Sequence, residues 1–240
     1  MPDSLLNREI VLVGGAGGLG GASTELLAAE GARLVIGYRS RRDRALEFEK
    51  FGRVVQADIT QSADRQKLLE AAPELYGLVV FAGDPARARS AEELEPAMRR
   101  SMEVNYLGPI LLAREAAEHM RSRAVHGSIV LISTMQAASL FPGSTAYAGA
   151  KIALLHAARI LAKECRGPSG IRVNVISPGV IAAGMAEASI ASGKYDRYRD
   201  EGIVNRFGRP LDIARAVRFF LQPDNYITGQ ALSVDGGLTL

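Results

Sequence analysis

The stretch that decides the fold runs from Ile10 to Gly21 and reads IVLVGGAGGLGG. Its four leading apolar residues predict a buried strand, and the apolar pair Leu26 and Leu27 beyond the glycines predicts a helix. Glycines between a strand and a helix permit a tight turn and let the backbone approach a pyrophosphate, whose charge the first helical N–H groups can meet. The sequence therefore predicts a dinucleotide site, formed by Gly14, Gly17, Gly18, Leu19 and Gly20.

On either side of this turn, short apolar runs alternate with longer amphipathic stretches. The strand candidates are residues 10–13, 33–37, 54–57, 78–81, 128–133, 171–176 and 230–234. This alternation predicts an α/β fold, a single Rossmann-type doubly wound parallel sheet with helices on both faces. Because 240 residues fill one α/β core, we expect a single domain over 1–240. Residues 92–117 are expected to form a helix that begins near Pro96 and kinks at Pro109.

Residues 182–205 interrupt the alternation with small residues and a cluster of basic and aromatic side chains. A long irregular segment that follows a strand end in such a fold is typically functional, so we interpret this one as a substrate lid. Two surface helices with solvated charges are the alternative interpretation.

Composition excludes several classes of protein. Apolar residues make up 48% of the chain and charged residues 23%, a globular balance, and the formal net charge of +3 is too small for a nucleic-acid binder. The sequence has neither a signal-like start nor an apolar run of about 18 residues, and Cys165 has no partner for a disulfide. We therefore expect a cytoplasmic protein with no membrane or nucleic-acid partner. The three histidines lack metal-ligand spacing, so no metal is predicted.

The end of the second strand candidate indicates which cofactor binds. An acidic residue about 20 residues after the glycines would hold the ribose hydroxyls of NAD, but this region reads Tyr38-Arg39-Ser40. Arg39 can pair with the 2′-phosphate of NADP, with Ser40 beside it. NADP(H) is therefore favoured over NAD(H). The alternative is that these arginines only form the solvated start of a helix.

Several motifs occur in the order found in one family. They are Gly14-x-x-x-Gly18-x-Gly20, Asp58-Ile59, Ala82-Gly83, Asn105 before a Gly, Tyr147-x-x-x-Lys151, Asn174, Ser177-Pro178-Gly179, Gly208-Arg209-Pro210 and the ending Ile227-Thr228-Gly229 with Val234-Asp235-Gly236-Gly237. Over essentially its whole length the chain resembles the short-chain dehydrogenases/reductases. The resemblance implies that Asp58 and Ile59 lie beside the adenine ring. It also implies that the loops at Ala82-Gly83 and at Pro178, Gly179, Val180 and Ile181 contact the cofactor.

The resemblance further implies a catalytic set of Asn105, Thr134, Tyr147 and Lys151, in which Asn105 holds a water that links Lys151 to solvent. Four positions depart from the family pattern. Val13 replaces a threonine, Val80-Phe81 replaces paired asparagines, Thr134 replaces the catalytic serine, and Ala183 replaces a threonine that holds the nicotinamide carboxamide. The changes at Val13, Val80-Phe81 and Ala183 predict weakened support for the cofactor, whereas Thr134 keeps the hydroxyl and adds a methyl group.

The chemistry follows from the residue types. Ketone reduction needs a hydride from the cofactor and a proton for the growing alkoxide, but a free tyrosine, with a pKa of about 10, is a weak acid. Lys151 lies one helical turn beyond Tyr147 on the same face, and its ammonium, together with the positive charge of the oxidised nicotinamide, is expected to lower that pKa. Tyr147 is therefore the predicted proton donor, and the Thr134 hydroxyl is the predicted donor to the developing oxyanion. The neighbouring Ser133 is the competing candidate for that role.

The predicted function is an NADP-preferring oxidoreductase of a carbonyl or secondary alcohol. The pattern most resembles the 3-oxoacyl carrier-protein reductase branch, so an acyl thioester is one candidate substrate, and Arg121, Arg123 and Arg166 could dock an acidic carrier protein. A polyol, sugar or steroid dehydrogenase is the nearest alternative, and a non-catalytic dinucleotide-binding regulator is the alternative from another class. The resemblance also implies a homotetramer or homodimer, with Leu154, Leu155, Ala158 and Leu161 on a pairing helix.

Overall fold

The structure, a computed structural model, describes residues 4–88 and 90–240. Its centre is a parallel sheet with the strand order β3-β2-β1-β4-β5-β6-β7. The strands are β1 Glu9–Val13, β2 Arg33–Tyr38, β3 Gly52–Gln56, β4 Leu75–Val80, β5 Ser128–Ile132, β6 Arg172–Pro178 and β7 Ala231–Val234. The predicted doubly wound α/β fold is confirmed, and every strand candidate corresponds to a strand with ends shifted by a few residues.

Helices cover the two faces of the sheet. They are α1 Gly18–Ala29, α2 Arg42–Leu46, α3 Ser62–Glu70, α4 Leu94–Met102, α5 Gly108–Ser122, α6 Thr145–Glu164, α7 Glu187–Ala191, α8 Arg197–Asp200 and α9 Pro210–Leu221. Side chains alternate along each strand, so Val11 and Val13 pack in the core under α3, α5 and α6, while Ile10 and Leu12 pack in the core under α1 and α9. Burial on both faces explains why the strands are continuous apolar runs.

The strand order reverses between β1 and β4, which both pair in the middle of the sheet. In open α/β sheets a crevice forms at such a reversal, outside the carboxyl ends of the strands, and ligands bind there. The glycine turn after β1 and the Ala82-Gly83 loop after β4 both open onto this edge.

Residues 92–117 were expected to form one helix, and the structure divides them between two helices, α4 and α5. Between α4 and α5 lies a π-helical turn, Glu103–Leu107, in which the Gly108 N–H reaches the Glu103 carbonyl. Pro96 lies in the first turn of α4, and Pro109 is the second residue of α5. Since proline has no N–H, Pro109 cannot donate to the Asn105 carbonyl, and the wider π turn accommodates this loss.

The segment 182–205 also differs from an irregular loop. It contains a 3-10 turn, Gly184–Ala186, and the short helices α7 and α8. Exposed charged residues lie on both helices, as the alternative interpretation expected. Whether the segment acts as a lid stays a prediction.

Candidate active site

The glycine turn after β1 is built so that only glycine fits at its key positions. Gly14 has a φ of +77°, and a Cβ on Gly20 would lie 2.2 Å from the Gly14 carbonyl oxygen. The turn therefore brings the backbone of Gly14 directly against the start of α1. The first turn of α1 contains no acidic residue, so its unpaired N–H groups and positive dipole end remain suited to an anion.

The carboxyl end of β2 presents Arg39 and Ser40 to solvent. In the part of the chain that the structure describes, no carboxylate pairs with the Arg39 guanidinium, although its main-chain carbonyl accepts from Gln56 Nε2 at 3.0 Å. The structure thus leaves Arg39 as an exposed cation at the end of β2, the strand that pairs with β1.

Asp58 and Ile59 follow β3, beside the end of β2, where the Ala57 N–H bonds the Tyr38 carbonyl at 2.8 Å. The Asp58 carboxylate accepts from the main-chain N–H and the hydroxyl of Thr60, at 3.0 and 2.8 Å. Ile59 is buried, and its carbonyl accepts from Arg65 at 3.0 Å. This pair therefore shares an edge of the sheet with Arg39.

The loop after β4 packs directly on the glycine turn. The Phe81 N–H bonds the Val13 carbonyl at 2.9 Å, and a Cβ on Gly14 would lie 3.4 Å from the Ala82 nitrogen. Main-chain contacts thus join these two loops at Val13 and Phe81, two of the positions that depart from the family pattern.

A second loop closes on the same turn from β6. Pro178 ends that strand, and a Cβ on Gly179 would lie 2.6 Å from the Asp235 Cα, so a larger residue would push the chain end away. Val180 and Ile181 are buried. Beyond them, the Gly184 nitrogen lies 2.8 Å from where a Cβ on Gly18 would be. The structure thus brings the segment after β6 onto the first residue of α1.

The predicted catalytic hydroxyls lie next to each other at the end of β5 but face different partners. Thr134 lies beside the Tyr147 phenol, and its Oγ1 accepts from the Gln136 N–H at 3.3 Å. Ser133 Oγ instead donates to the Lys151 main-chain carbonyl. The geometry therefore brings Thr134, and not Ser133, to Tyr147.

Tyr147 and Lys151 lie one turn apart on α6, and burial shifts the pKa of both groups. Burial raises the pKa of Tyr147 to about 12, although the neighbouring Thr134 hydroxyl opposes this by favouring the phenolate. Burial also lowers the pKa of Lys151 to about 7, and its Nζ donates to the Ile132 carbonyl at 2.7 Å. Lys151 is not among the causes of the Tyr147 shift, because desolvation is the larger effect on both groups. The lowering expected from Lys151 together with the nicotinamide charge stays a prediction.

Asn105 lies fully buried in the π turn. Its Nδ2 donates to the Asp84 carbonyl at 2.9 Å and to Ser101 Oγ at 3.0 Å, while its Oδ1 accepts from the Asp84 N–H at 3.0 Å. Ser101 Oγ in turn donates to the Ala146 carbonyl at 2.8 Å, one residue before Tyr147. The Asn105 side chain thus joins the loop after β4 to the start of α6.

Two further residues of this network, Asp84 and Ser101, were not found from the sequence. Asp84 directly follows the Ala82-Gly83 motif, and Ser101 lies one helical turn before Asn105, so spacing was the available signal. An aspartate or a serine at these positions does not by itself predict a hydrogen bond to Asn105. That prediction requires the position of Asn105 in the π turn.

Within residues 4–88 and 90–240, no cluster of three or more His, Cys, Asp or Glu side chains is arranged to hold a metal ion. Among the same residues, no helix combines the length and apolar character needed to cross a bilayer.

Comparison with known proteins agrees with this geometry. A family model described as enoyl-(acyl carrier protein) reductase matches residues 14–239. The chain is 35% identical to an uncharacterized oxidoreductase of Methylorubrum extorquens, over 98% of each chain. The chain belongs to the short-chain dehydrogenase/reductase family. As a member, it is an NAD(P)-dependent oxidoreductase on a Rossmann-type fold.

Two other matches bear on this family member. A chloroplastic NADPH-dependent aldehyde reductase-like protein of Arabidopsis thaliana is 30% identical, covering 98% of this chain and 96% of its own. The solved structure of a short-chain type dehydrogenase/reductase from Mycobacterium ulcerans superposes with a TM-score of 0.90 at 28% identity, covering 98% of this chain and 91% of that one.

Proposed function

We propose that this short-chain dehydrogenase/reductase uses NADPH to reduce a ketone, with Tyr147 as the proton donor. One observation carries the proposal, namely that the Thr134 hydroxyl lies beside the Tyr147 phenol, with Lys151 one helical turn away. A carbonyl oxygen that accepts from both hydroxyls would meet one donor for the developing charge and one source of the proton.

The residues around the crevice fit a dinucleotide. The turn at Gly14 and Gly20 leaves no room for side chains, which favours close approach of a pyrophosphate. Asp58 and Ile59 lie at the adenine end, and Ala82, Gly83 and residues 178–181 flank the nicotinamide end. When bound, the cofactor supplies the hydride. The relative of Arabidopsis thaliana named NADPH-dependent and the unpaired Arg39 both support NADP(H) over NAD(H).

The proton and its path are assigned to this chain's own groups. A Tyr147 pKa of about 12 keeps the phenol protonated at neutral pH, so it is ready to donate. Because the pKa of Lys151 is about 7, the lysine can take up or release a proton near the working pH and thereby restore Tyr147 through solvent. The Asn105 side chain is already hydrogen-bonded to Asp84 and Ser101, so a relay water would bind its main-chain carbonyl. That carbonyl lacks the usual helical N–H donor four residues on, because Pro109 has no N–H.

The proposal includes a single domain over 1–240, closed over its substrate by residues 182–205. Close packing of Gly184 on Gly18 supports a covering role for that segment. A docked carrier protein is not part of the proposal. Arg121 lies in the last turn of α5, and Arg123 and Arg166 lie in the connections that lead into the starts of β5 and β6, at the edge of the sheet opposite to Tyr147.

The test is loss of NADPH absorbance with a panel of ketones, 3-oxoacyl thioesters, sugars and steroids. We expect turnover of at least one ketone, and Tyr147→Phe should abolish it while NADPH still binds, since the ring is retained and only the hydroxyl is lost. The alternative dehydrogenases would appear as turnover of a polyol or steroid with the oxidised cofactor. A protein that binds NADPH tightly and turns over nothing would be the non-catalytic regulator, and the proposal would be wrong.

A further inference from the structure

Asp84 makes a constrained turn directly after Gly83. Its Oδ1 accepts from the Ala86 N–H at 2.6 Å, and Ala86 has a φ of +51°, a left-handed conformation that alanine rarely adopts. The Asp84 backbone is held on both sides by Asn105, and its Oδ2 accepts from Arg100 Nε at 3.0 Å. Strain of this kind persists only where the surroundings fix it, and it is concentrated at functional sites.

This turn lies at the opening of the active site. Gly83 is exposed, yet a Cβ there would lie 3.2 Å from Asn105 Oδ1 and 3.9 Å from Lys151 Nζ, which both belong to buried side chains. Met185 Cε, from the segment after β6, would lie 3.6 Å from the same Cβ. The exposed Gly83 and Met185 therefore cover the buried Asn105 and Lys151 on the solvent side, and this place is called the opening of the site.

The strained turn presents Arg87 at this opening. The Arg87 side chain is exposed, and its Nη2 donates to the Met185 carbonyl at 3.3 Å. Among the residues that the structure describes, no carboxylate pairs with it. Glu187, the acidic residue nearest to Met185 along the chain, accepts instead from the Gly184 N–H at 2.9 Å. A guanidinium has five N–H donors, so most of the hydrogen-bonding capacity of Arg87 is unused.

Two arginines of α4 near the turn are already neutralised. Arg100 pairs with Asp84, and Arg99 pairs with Glu95 on the exposed side of α4. Arg87 is thus a free cation whose backbone is fixed by a strained turn and whose side chain crosses the opening of the site. A planar guanidinium matches the two oxygens of a carboxylate, which it can bind with paired hydrogen bonds.

We propose that Arg87 binds a carboxylate of the substrate, so that the favoured substrates are oxo acids or the corresponding hydroxy acids. This inference rests on the proposed function, because it assumes that a carbonyl reacts at Tyr147. Arg87 acts as a specificity residue. It holds the end of the substrate that remains at the opening while the ketone reaches Thr134 and Tyr147.

The test compares charged substrates with neutral partners of the same shape. NADPH oxidation is measured with 3-oxobutanoate and 5-oxohexanoate, each beside its methyl ester, because the two acids differ in the distance from ketone to carboxylate. The parent enzyme should prefer one acid to its ester. Arg87→Gln should lower kcat/KM for that acid by about tenfold to a hundredfold, mainly through KM, while the value for the ester changes by less than about threefold.

Two variants serve as controls. Arg87→Lys keeps the charge without the fork and should recover part of the loss. Arg99→Gln removes an exposed cation of α4 that is paired with Glu95, and should leave the ratio of acid to ester unchanged. Equal losses on acid and ester in Arg87→Gln, or a parent enzyme that prefers the esters, would overturn the proposal, since Arg87 would then only hold Met185.

Binding separates this proposal from the proposed function. Calorimetric titration of the protein–NADP⁺ complex with the preferred acid should give a Kd that Arg87→Gln weakens by a similar factor. An acid that binds through Arg87 without turnover contradicts the proposed reaction but supports this inference. Reduction of neutral ketones without tighter binding of the acids would support the proposed reaction and contradict this inference.

Discussion

Ser133 Oγ donates a hydrogen bond to the main-chain carbonyl oxygen of Lys151, 3.1 Å away, and so ties the end of β5 to α6. The Lys151 ammonium group makes the reciprocal link, since Nζ donates to the Ile132 carbonyl at 2.7 Å. Ser133 is therefore occupied in holding Lys151, whereas the adjacent Thr134 contacts the Tyr147 phenol. Two neighbouring hydroxyls thus have separate partners, the Lys151 carbonyl for Ser133 and the Tyr147 phenol for Thr134.

This division predicts opposite outcomes for the two alanine variants. Thr134→Ala should lower kcat on the order of a hundredfold, because the oxyanion loses a positioned donor. Ser133→Ala should retain most of the turnover but lower the free energy of unfolding by about 1 kcal/mol, the usual effect of a lost hydrogen bond. Thr134→Ser keeps the hydroxyl and should stay within about tenfold of the parent, or ~1.4 kcal/mol in barrier.

Steady-state kinetics and urea unfolding of the three variants check this prediction. If Ser133→Ala is folded but inactive while Thr134→Ala turns over normally, the catalytic hydroxyl belongs to Ser133 and the assignment is wrong.

Arg39 should determine the choice between the two nicotinamide cofactors. Its guanidinium is exposed, with no carboxylate partner among the described residues, so a 2′-phosphate can pair with it at little cost. Arg39→Asp should weaken NADPH binding by about tenfold to a hundredfold, the value of a lost charge-assisted contact plus repulsion. NADH, which lacks the phosphate, should bind the variant at least as well as the parent.

Fluorescence titration of both cofactors against parent and variant measures this shift. Arg53, an exposed arginine of β3, offers a matched control when changed to Asp. Equal affinity of the parent for NADH and NADPH would contradict the predicted preference.

The sheet and the nucleotide crevice could be predicted from the sequence because local patterns fix them. Apolar runs of strand length, such as Ile10 to Val13, have no other stable place than a buried parallel sheet. Gly20 is required by its close contact with the Gly14 carbonyl, only six residues back along the chain, so the spacing of these two glycines carries the information. Motifs of this local kind identified most of the crevice.

The features that the sequence did not reveal depend on contacts between distant segments. In the π turn, the Asn105 side chain hydrogen-bonds Asp84 in the loop after β4 and Ser101 in α4. The direction in which the pKa of Tyr147 shifts depends on how deeply its phenol is buried, and residue spacing does not predict that depth. Arg87 is presented by a positive φ at Ala86, a residue type that gives no signal for it.

Exposed apolar residues on α5 and α6 support the predicted homodimer or homotetramer. Of the residues expected on the pairing face, Leu154, Ala158 and Leu161 pack instead in this chain's own core, and Leu155 is partly buried against it. Leu111, Ile152 and Ile160 are the ones left exposed on these helices, at 40%, 45% and 47%. Ile152→Glu combined with Ile160→Glu should therefore give a monomer, because burying two carboxylates in an interface is costly.

Light scattering at micromolar concentration checks the assembly. Leu46→Glu on α2, 41% exposed, is the matched control and should leave the oligomer intact. A parent protein that scatters as a monomer would contradict the prediction.

The buried Lys151 should make the stability of the protein depend on pH. Its pKa of about 7 in the folded chain compares with an ordinary value of 10.5. Between these values the unfolded chain carries a proton that the folded chain lacks, so the free energy of unfolding contributed by this group rises with pH in that window. The raised pKa of Tyr147 acts in the opposite direction, but only above pH 10, its ordinary value.

Lys151→Met retains the volume of the side chain and removes its titration. Between pH 7 and pH 9, the free energy of unfolding of the parent should gain about 1–2 kcal/mol relative to the variant, within the limit of 1.36 kcal/mol per pH unit for one proton. Urea unfolding at fixed protein concentration measures the difference, and Lys163→Met, an exposed lysine of the same helix, controls for loss of charge. Parallel pH curves for the parent and Lys151→Met would mean that Lys151 is charged in the folded protein at pH 9, and the lysine could not then exchange the proton of Tyr147 near neutral pH.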